Sequence, residues 1–99
     1  MDKQSVRVVA KLIARPGKAS ELASVLLALV APTRKEKGCV SYELLRHKTD
    51  DADFVFVEEW TGDAALDAHL ATPHLREALA KAKPLLAADP DVRRYVTVA

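Results

Sequence analysis

Cysteine occurs once in this chain, at Cys39. No internal disulfide can form, and a reducing, cytoplasmic setting is expected. Glycine is scarce: Gly17, Gly38 and Gly62 are too scattered to form a phosphate-cradling loop. No run of about 18 apolar residues occurs, so no membrane-spanning helix is expected. Lys3, Arg7 and Lys11 interrupt the N-terminal apolar positions, which leaves no secretion-signal core. The formal net charge is only +1, with both signs interspersed. Neither nucleic acid nor a membrane surface is therefore an expected partner. The sequence has no HExxH, CxxC or EF-hand pattern. Ser5, Ser20, Ser24 and Ser41 lack the flanks of a nucleophile elbow.

What the chain does have is the material for one compact domain over residues 1–99. Val6 to Ile13 alternates as a strand, with apolar residues on both faces. Arg15-Pro16-Gly17 ends it. Leu22, Val25, Leu26, Leu29 and Val30 then recur at helical spacing, and Pro32 predicts a kink or a fresh turn. Thr33 to Lys37 reads as polar and solvated, and Gly38 as a left-handed stop. Strands are expected over Cys39–His47 and Phe54–Thr61, joined by the polar loop Lys48–Ala52. Asp63 is expected to cap a helix over Ala64–Ala71. Thr72 and Pro73 suit the start of the next helix, which Pro84 should bend or end. Val92 to Val98 is expected as the last strand.

The order β-α-β-β-α-α-β predicts an α+β, ferredoxin-like fold with a four-stranded antiparallel sheet. Helices would cover one sheet face. Either the Tyr42, Phe56, Trp60 face or its opposite would stay open. An apolar open face needs cover, and a second copy of the chain is the expected partner, making a homodimer through sheet faces.

The segment Phe54–His74 concentrates side chains that could do chemistry. Trp60 and Tyr42 offer planar surfaces, and Phe56, Glu58 and Trp60 share a strand face. Such a grouping can wall a pocket for a flat, oxidisable molecule, or it can be an ordinary edge of the core. A buried Glu58 would need a partner, with Arg7, Arg46 or a histidine available. Glu58 and Glu59 face opposite sides and cannot act as a dyad. His69 lies on an apolar stripe between Leu66 and Leu70, as a core histidine or as the best general base on offer. His74 stands at a helix start. Five residues along one helix is about 500°, so His69 and His74 should point apart, and no metal site is expected.

Three stretches carry a family resemblance: Gly38-Cys39-x-x-Tyr42-Glu43, Phe56-x-Glu58-x-Trp60 and Leu66-x-x-His69-Leu70-x-Thr72-Pro73-His74. Together they resemble the antibiotic biosynthesis monooxygenase family, nearest to its small quinol monooxygenase-like members. The resemblance implies a dimeric α+β barrel with a pocket between sheet and helices in each subunit. It implies oxidation of a small aromatic quinol or polyphenol by O2 without flavin, haem or metal, so that no cofactor is expected. It places His69, Trp60 and His74 in catalytic positions, His69 as base or oxyanion partner. Tyr42, Arg46, Glu58 and Phe56 would bind substrate. The haem-degrading branch of the superfamily needs an Asn, a Trp and a His where this chain has Ala10, His69 and Leu79. A further branch, which isomerises phosphorylated sugar-like signalling molecules, shares the Thr-Pro-His element, and an isomerase or tautomerase of a sugar-like signalling molecule or a lactone stays open as an alternative. So does a dimer that only binds a small molecule.

Overall fold

The computed structural model describes residues 4–99. Strand β1 (Val6–Ile13) is followed by helices α1 (Ala19–Leu27) and α2 (Val30–Arg34). Strands β2 (Cys39–Arg46) and β3 (Asp53–Trp60) form a hairpin. Helices α3 (Asp63–Leu70) and α4 (Pro73–Ala82) come next, then a 3-10 turn (Lys83–Leu85) and strand β4 (Asp91–Tyr95). The sheet order is β2-β3-β1-β4, with every neighbouring pair antiparallel. This is the expected ferredoxin-like α+β architecture. No helix among the described residues is long and apolar enough to cross a membrane.

The period-two pattern decides which face is inside. Val6, Val8, Ala10 and Leu12 of β1 are buried, as are Phe54, Phe56, Glu58 and Trp60 of β3 and Tyr42 of β2. All of them face the helices. The sequence left the choice of face open, and the structure puts the aromatic set inward. On the other face, Val9 opposes Val57, while Lys11 and Leu45 flank Val55. Val9 and Leu45 there are 38% and 47% exposed.

Several boundaries depart from expectation. Strand β4 begins at Asp91 and ends at Tyr95, so Val96 and Val98 lie beyond it. β4 is an exposed edge strand, paired among the described residues with β1 alone. Asp63 does not cap α3; Gly62 occupies that position, and the Asp63 carboxylate instead accepts from Arg94 Nη1 at 2.9 Å. Pro32 sits within a short separate helix, α2, so the fresh turn rather than a kinked continuation is what forms. The segment after it is not solvated throughout. Thr33 is fully buried, and the Glu36 side chain is only 13% exposed.

Gly38 ends this segment in the left-handed region, at φ 89°. Its carbonyl accepts from Thr61 N at 2.9 Å, which ties the start of β2 to the end of β3. A Cβ at this position would stand 2.5 Å from Ala65 Cβ and 2.9 Å from Thr61 Oγ1. Gly38→Ala therefore combines backbone strain with a clash against α3. It is expected to cost at least ~2 kcal/mol in urea unfolding. A cost near zero would show that α3 is free to move away.

Candidate active site

The site begins at the junction of α3 and α4. Thr72 has extended backbone angles, and its Oγ1 accepts from Leu75 N at 3.4 Å. The same hydroxyl donates to the His69 carbonyl at 2.8 Å. Pro73 opens α4 with φ already preset. The helical path is thus broken between His69 and His74. The two rings do not diverge as a continuous helix would make them; their centroids are 6.3 Å apart.

Both rings meet Glu36. His69 Nδ1 and His74 Nε2 each lie 2.7 Å from the same oxygen, Glu36 Oε2. A carboxylate only accepts, so each of these nitrogens carries its ring's proton. The His69 ring is 97% enclosed by its side-chain exposure of 3%, against 29% for His74. His69 Nε2, the opposite nitrogen, makes no hydrogen bond among the described residues. It is not sealed off either, because the only fully enclosed side-chain polar atom without a partner among those residues is Thr33 Oγ1.

The His69 ring lines a cavity of about 70 Å³ between sheet and helices. Val8, Ala10 and Phe56 form its floor, and Leu26, Leu66 and Leu75 stand among its helical walls. Among the described residues its only polar lining ones are Tyr42, Glu58 and His69, and none of them is Lys or Arg. Leu70, Leu79 and Val92, which are 40–52% exposed, also line it and mark its opening to solvent.

Tyr42 stacks on Phe56 at 4.8 Å between centroids and meets His69 edge-on at 5.7 Å. Burial pushes the Tyr42 phenol well above its ordinary range, and the neighbouring Glu58 adds to this. The phenol therefore stays protonated and can donate. Glu58 is 4% exposed, and its Oε1 accepts from Trp60 Nε1 at 2.8 Å. Burial raises the Glu58 carboxyl to about 7; the indole bond opposes the rise and Glu36 adds to it. The partner expected for Glu58 was a cation. The structure supplies an indole instead, and Arg7 Nε reaches only the Glu58 backbone oxygen.

The remaining candidates separate. Phe56 lines the cavity. Trp60 does not: it is fully buried behind Glu58 and His69, with its ring 4.6 Å from the imidazole. It packs against the imidazole and donates to the Glu58 carboxyl. His74 lines a separate surface groove with Glu77 and Lys81. Arg46 is exposed at the far end of β2, opposite Phe54, and contributes nothing to the cavity. Glu36 is the residue that sequence reasoning missed. Lys35 and Lys37 flank it in a turn, and no local spacing links it to a histidine 33 residues away. The Glu58–Trp60 bond did have a signal, since residues two apart on a strand share a face.

Glu58 makes stability depend on pH. Its proton is bound more tightly in the folded chain, at about 7 against 4.5 for the free side chain. The favourable contribution is complete below pH 4.5 and disappears as pH rises through about 7. The full penalty is about 3 kcal/mol. Glu58→Gln keeps an acceptor for the indole and removes the ionisation. Its Tm should exceed that of the wild type by several degrees above the folded pKa, and by much less near pH 5. An equal difference at both pH values in thermal melts would contradict this reading.

With this geometry in hand, comparison with known proteins is informative. The sequence matches the family described as antibiotic biosynthesis monooxygenase over residues 5–81. A Mycobacterium tuberculosis protein named "Putative monooxygenase Rv0793" is 37% identical over 81 residues, which is 82% of this chain and 79% of that protein. A Synechocystis protein named "Uncharacterized protein sll1783" is 34% identical over 89% of this chain, and the chain spans only 60% of its length. The crystal structure of PA3566 from Pseudomonas aeruginosa superposes with a TM-score of 0.93 at 32% identity, covering 100% of this chain and 99% of that one. Sequence and fold agree: this chain belongs to the antibiotic biosynthesis monooxygenase family.

Proposed function

We propose that this protein is a cofactor-independent monooxygenase of the cytoplasm that oxidises a single-ring quinol or polyphenol with O2. The family match and the names of its relatives support a monooxygenase-like, oxidoreductase role. The observation that carries the finer reading is the Glu36–His69 pair, whose free imidazole nitrogen belongs to a ring lining an apolar cavity. The cavity is about 70 Å³, roughly half of the ~150 Å³ that admits benzene to a protein core. The cavity as it stands is smaller than one aromatic ring, so a single-ring substrate enters only as Leu70, Leu79 and Val92 part, and a larger fused system is disfavoured.

In this reading His69 Nε2 takes the proton of a substrate hydroxyl, and Glu36 stabilises the imidazolium that results. The Tyr42 phenol and the protonated Glu58 carboxyl donate to the substrate oxygens. The electron-rich anion passes one electron to O2, and the two radicals combine at a ring carbon. The His69 imidazolium returns its proton to the peroxide so formed, and loss of water from the hydroperoxide, taking the hydrogen of that ring carbon, leaves a carbonyl there. One quinol and one O2 thus give one hydroxyquinone and one water, with no outside reductant. The apolar walls strengthen each polar contact by excluding water.

For a phosphorylated sugar-like substrate of the isomerase alternative, a cavity lined among the described residues by one acid and by no Lys or Arg is poorly suited; a lactone substrate is separated by its turnover without O2. The apolar residues Val9, Leu45, Val55 and Val57 on the open sheet face support a homodimer, sheet against sheet.

Oxygen uptake with a panel of hydroquinones tests the reaction. The wild type should exceed autoxidation, and His69→Ala should lose about 100-fold or more. Glu36→Gln should fall between them. Equal rates in all three proteins, or product formed without O2, would refute the proposal. In sedimentation at micromolar concentration the particle should show twice the 10.8 kDa chain mass; a clean monomer would refute the dimer.

A further inference from the structure

We propose that Glu36, His69 and His74 form a binding site for a divalent transition-metal ion such as Zn2+, set behind the cavity, and that the bound ion reverses the hydrogen-bonding role of His69 within the cavity. The ion site goes beyond the proposed reaction and does not depend on it.

Three elements contribute one donor each: Glu36 from the turn after α2, His69 from the end of α3 and His74 from the start of α4. Their ligand atoms, Glu36 Oε2, His69 Nδ1 and His74 Nε2, lie within 4.8 Å of one another. Two imidazoles and one carboxylate suit Zn2+, Co2+ and related ions. Donors held ~2.1 Å from such an ion stand ~3.0–3.4 Å apart. Glu36 Oε2 is now 2.7 Å from each nitrogen. The carboxylate therefore needs to withdraw by less than about 1 Å, through its own side-chain torsions. The two imidazole nitrogens, up to 4.8 Å apart, must also close to that spacing; rotation of the more exposed His74 side chain can supply the movement while the Thr72 hydroxyl and Pro73 hold the backbone of the junction. His74, the most exposed of the three, opens the site to solvent. Neither Glu36 nor His74 lines the cavity, so an ion would approach without crossing it.

The consequence for His69 is chemical. In the metal-free protein its proton sits on Nδ1, donated to Glu36, and Nε2 is the acceptor. An ion on Nδ1 takes that lone pair, and the neutral ring then carries its proton on Nε2. No proton is lost; it moves across the ring. His69 then presents a donor to the cavity where it had presented an acceptor.

The test is metal binding by the whole chain after chelator treatment. Titration calorimetry with Zn2+ should give one ion per chain. Co2+ should give the visible absorption of a low-symmetry site. Glu36→Gln and His74→Ala, each checked for folding by circular dichroism, should weaken binding about tenfold or more. His74→Gln should behave as His74→Ala does. Long-range proton–nitrogen spectra of the histidines should place the His69 proton on Nδ1 without metal and on Nε2 at saturating Zn2+. No binding by the wild type, or unchanged binding in both His74 variants, overturns the site. Binding with the His69 proton still on Nδ1 overturns the reversal.

Discussion

One carboxylate oxygen organises this molecule's chemistry. Glu36 Oε2 accepts a hydrogen bond from each of two imidazoles that come from different helices. For His69 this bond fixes the tautomer, and the tautomer decides what the cavity meets. If Glu36 were absent, the ring's proton could occupy either nitrogen, and the buried imidazole would lose its only hydrogen bond among the described residues. A buried polar group without a partner is costly, so Glu36 also contributes to holding α3 and α4 against the turn before β2.

The cavity depends on this arrangement in a second way. Its walls are apolar apart from Tyr42, Glu58 and His69. Two of those three are held from outside the cavity, Glu58 by the Trp60 indole and His69 by Glu36, while Tyr42 stacks on Phe56, itself a lining residue. The supporting contacts leave donor or acceptor capacity free for a guest. In a nearly dry space a weak general base and a neutral acid are more effective than in water, because nothing competes for them. In the proposed reaction the electron comes from the substrate once its proton has gone.

Much of the fold was legible in the sequence. The alternation in β1 and β3 sorted the residues into two faces but did not say which face is buried. Gly38 and the Thr72-Pro73 pair marked the two chain breaks that shape the site. Local chemistry sufficed there, because a left-handed residue and a helix cap are properties of a few adjacent residues. The site was less legible because its key contact is not local. Thr33 and Glu36 read as solvated, yet α2 turns both inward. His69 and His74 read as diverging, because the spacing argument assumes a continuous helix that Thr72-Pro73 in fact interrupts. Trp60 read as a wall of the pocket, but its ring stands behind the polar pair. Arg46 shares the face of Tyr42, but it lies four residues further along β2, past the end of the cavity.

A crystal structure with an unreactive phenol bound would test the central claim most directly. The account predicts a ring in the cavity with its hydroxyl oxygen ~2.6–3.2 Å from His69 Nε2, while Glu36 stays on Nδ1. A phenol bound elsewhere, or bound with its oxygen turned away from that nitrogen, would contradict it.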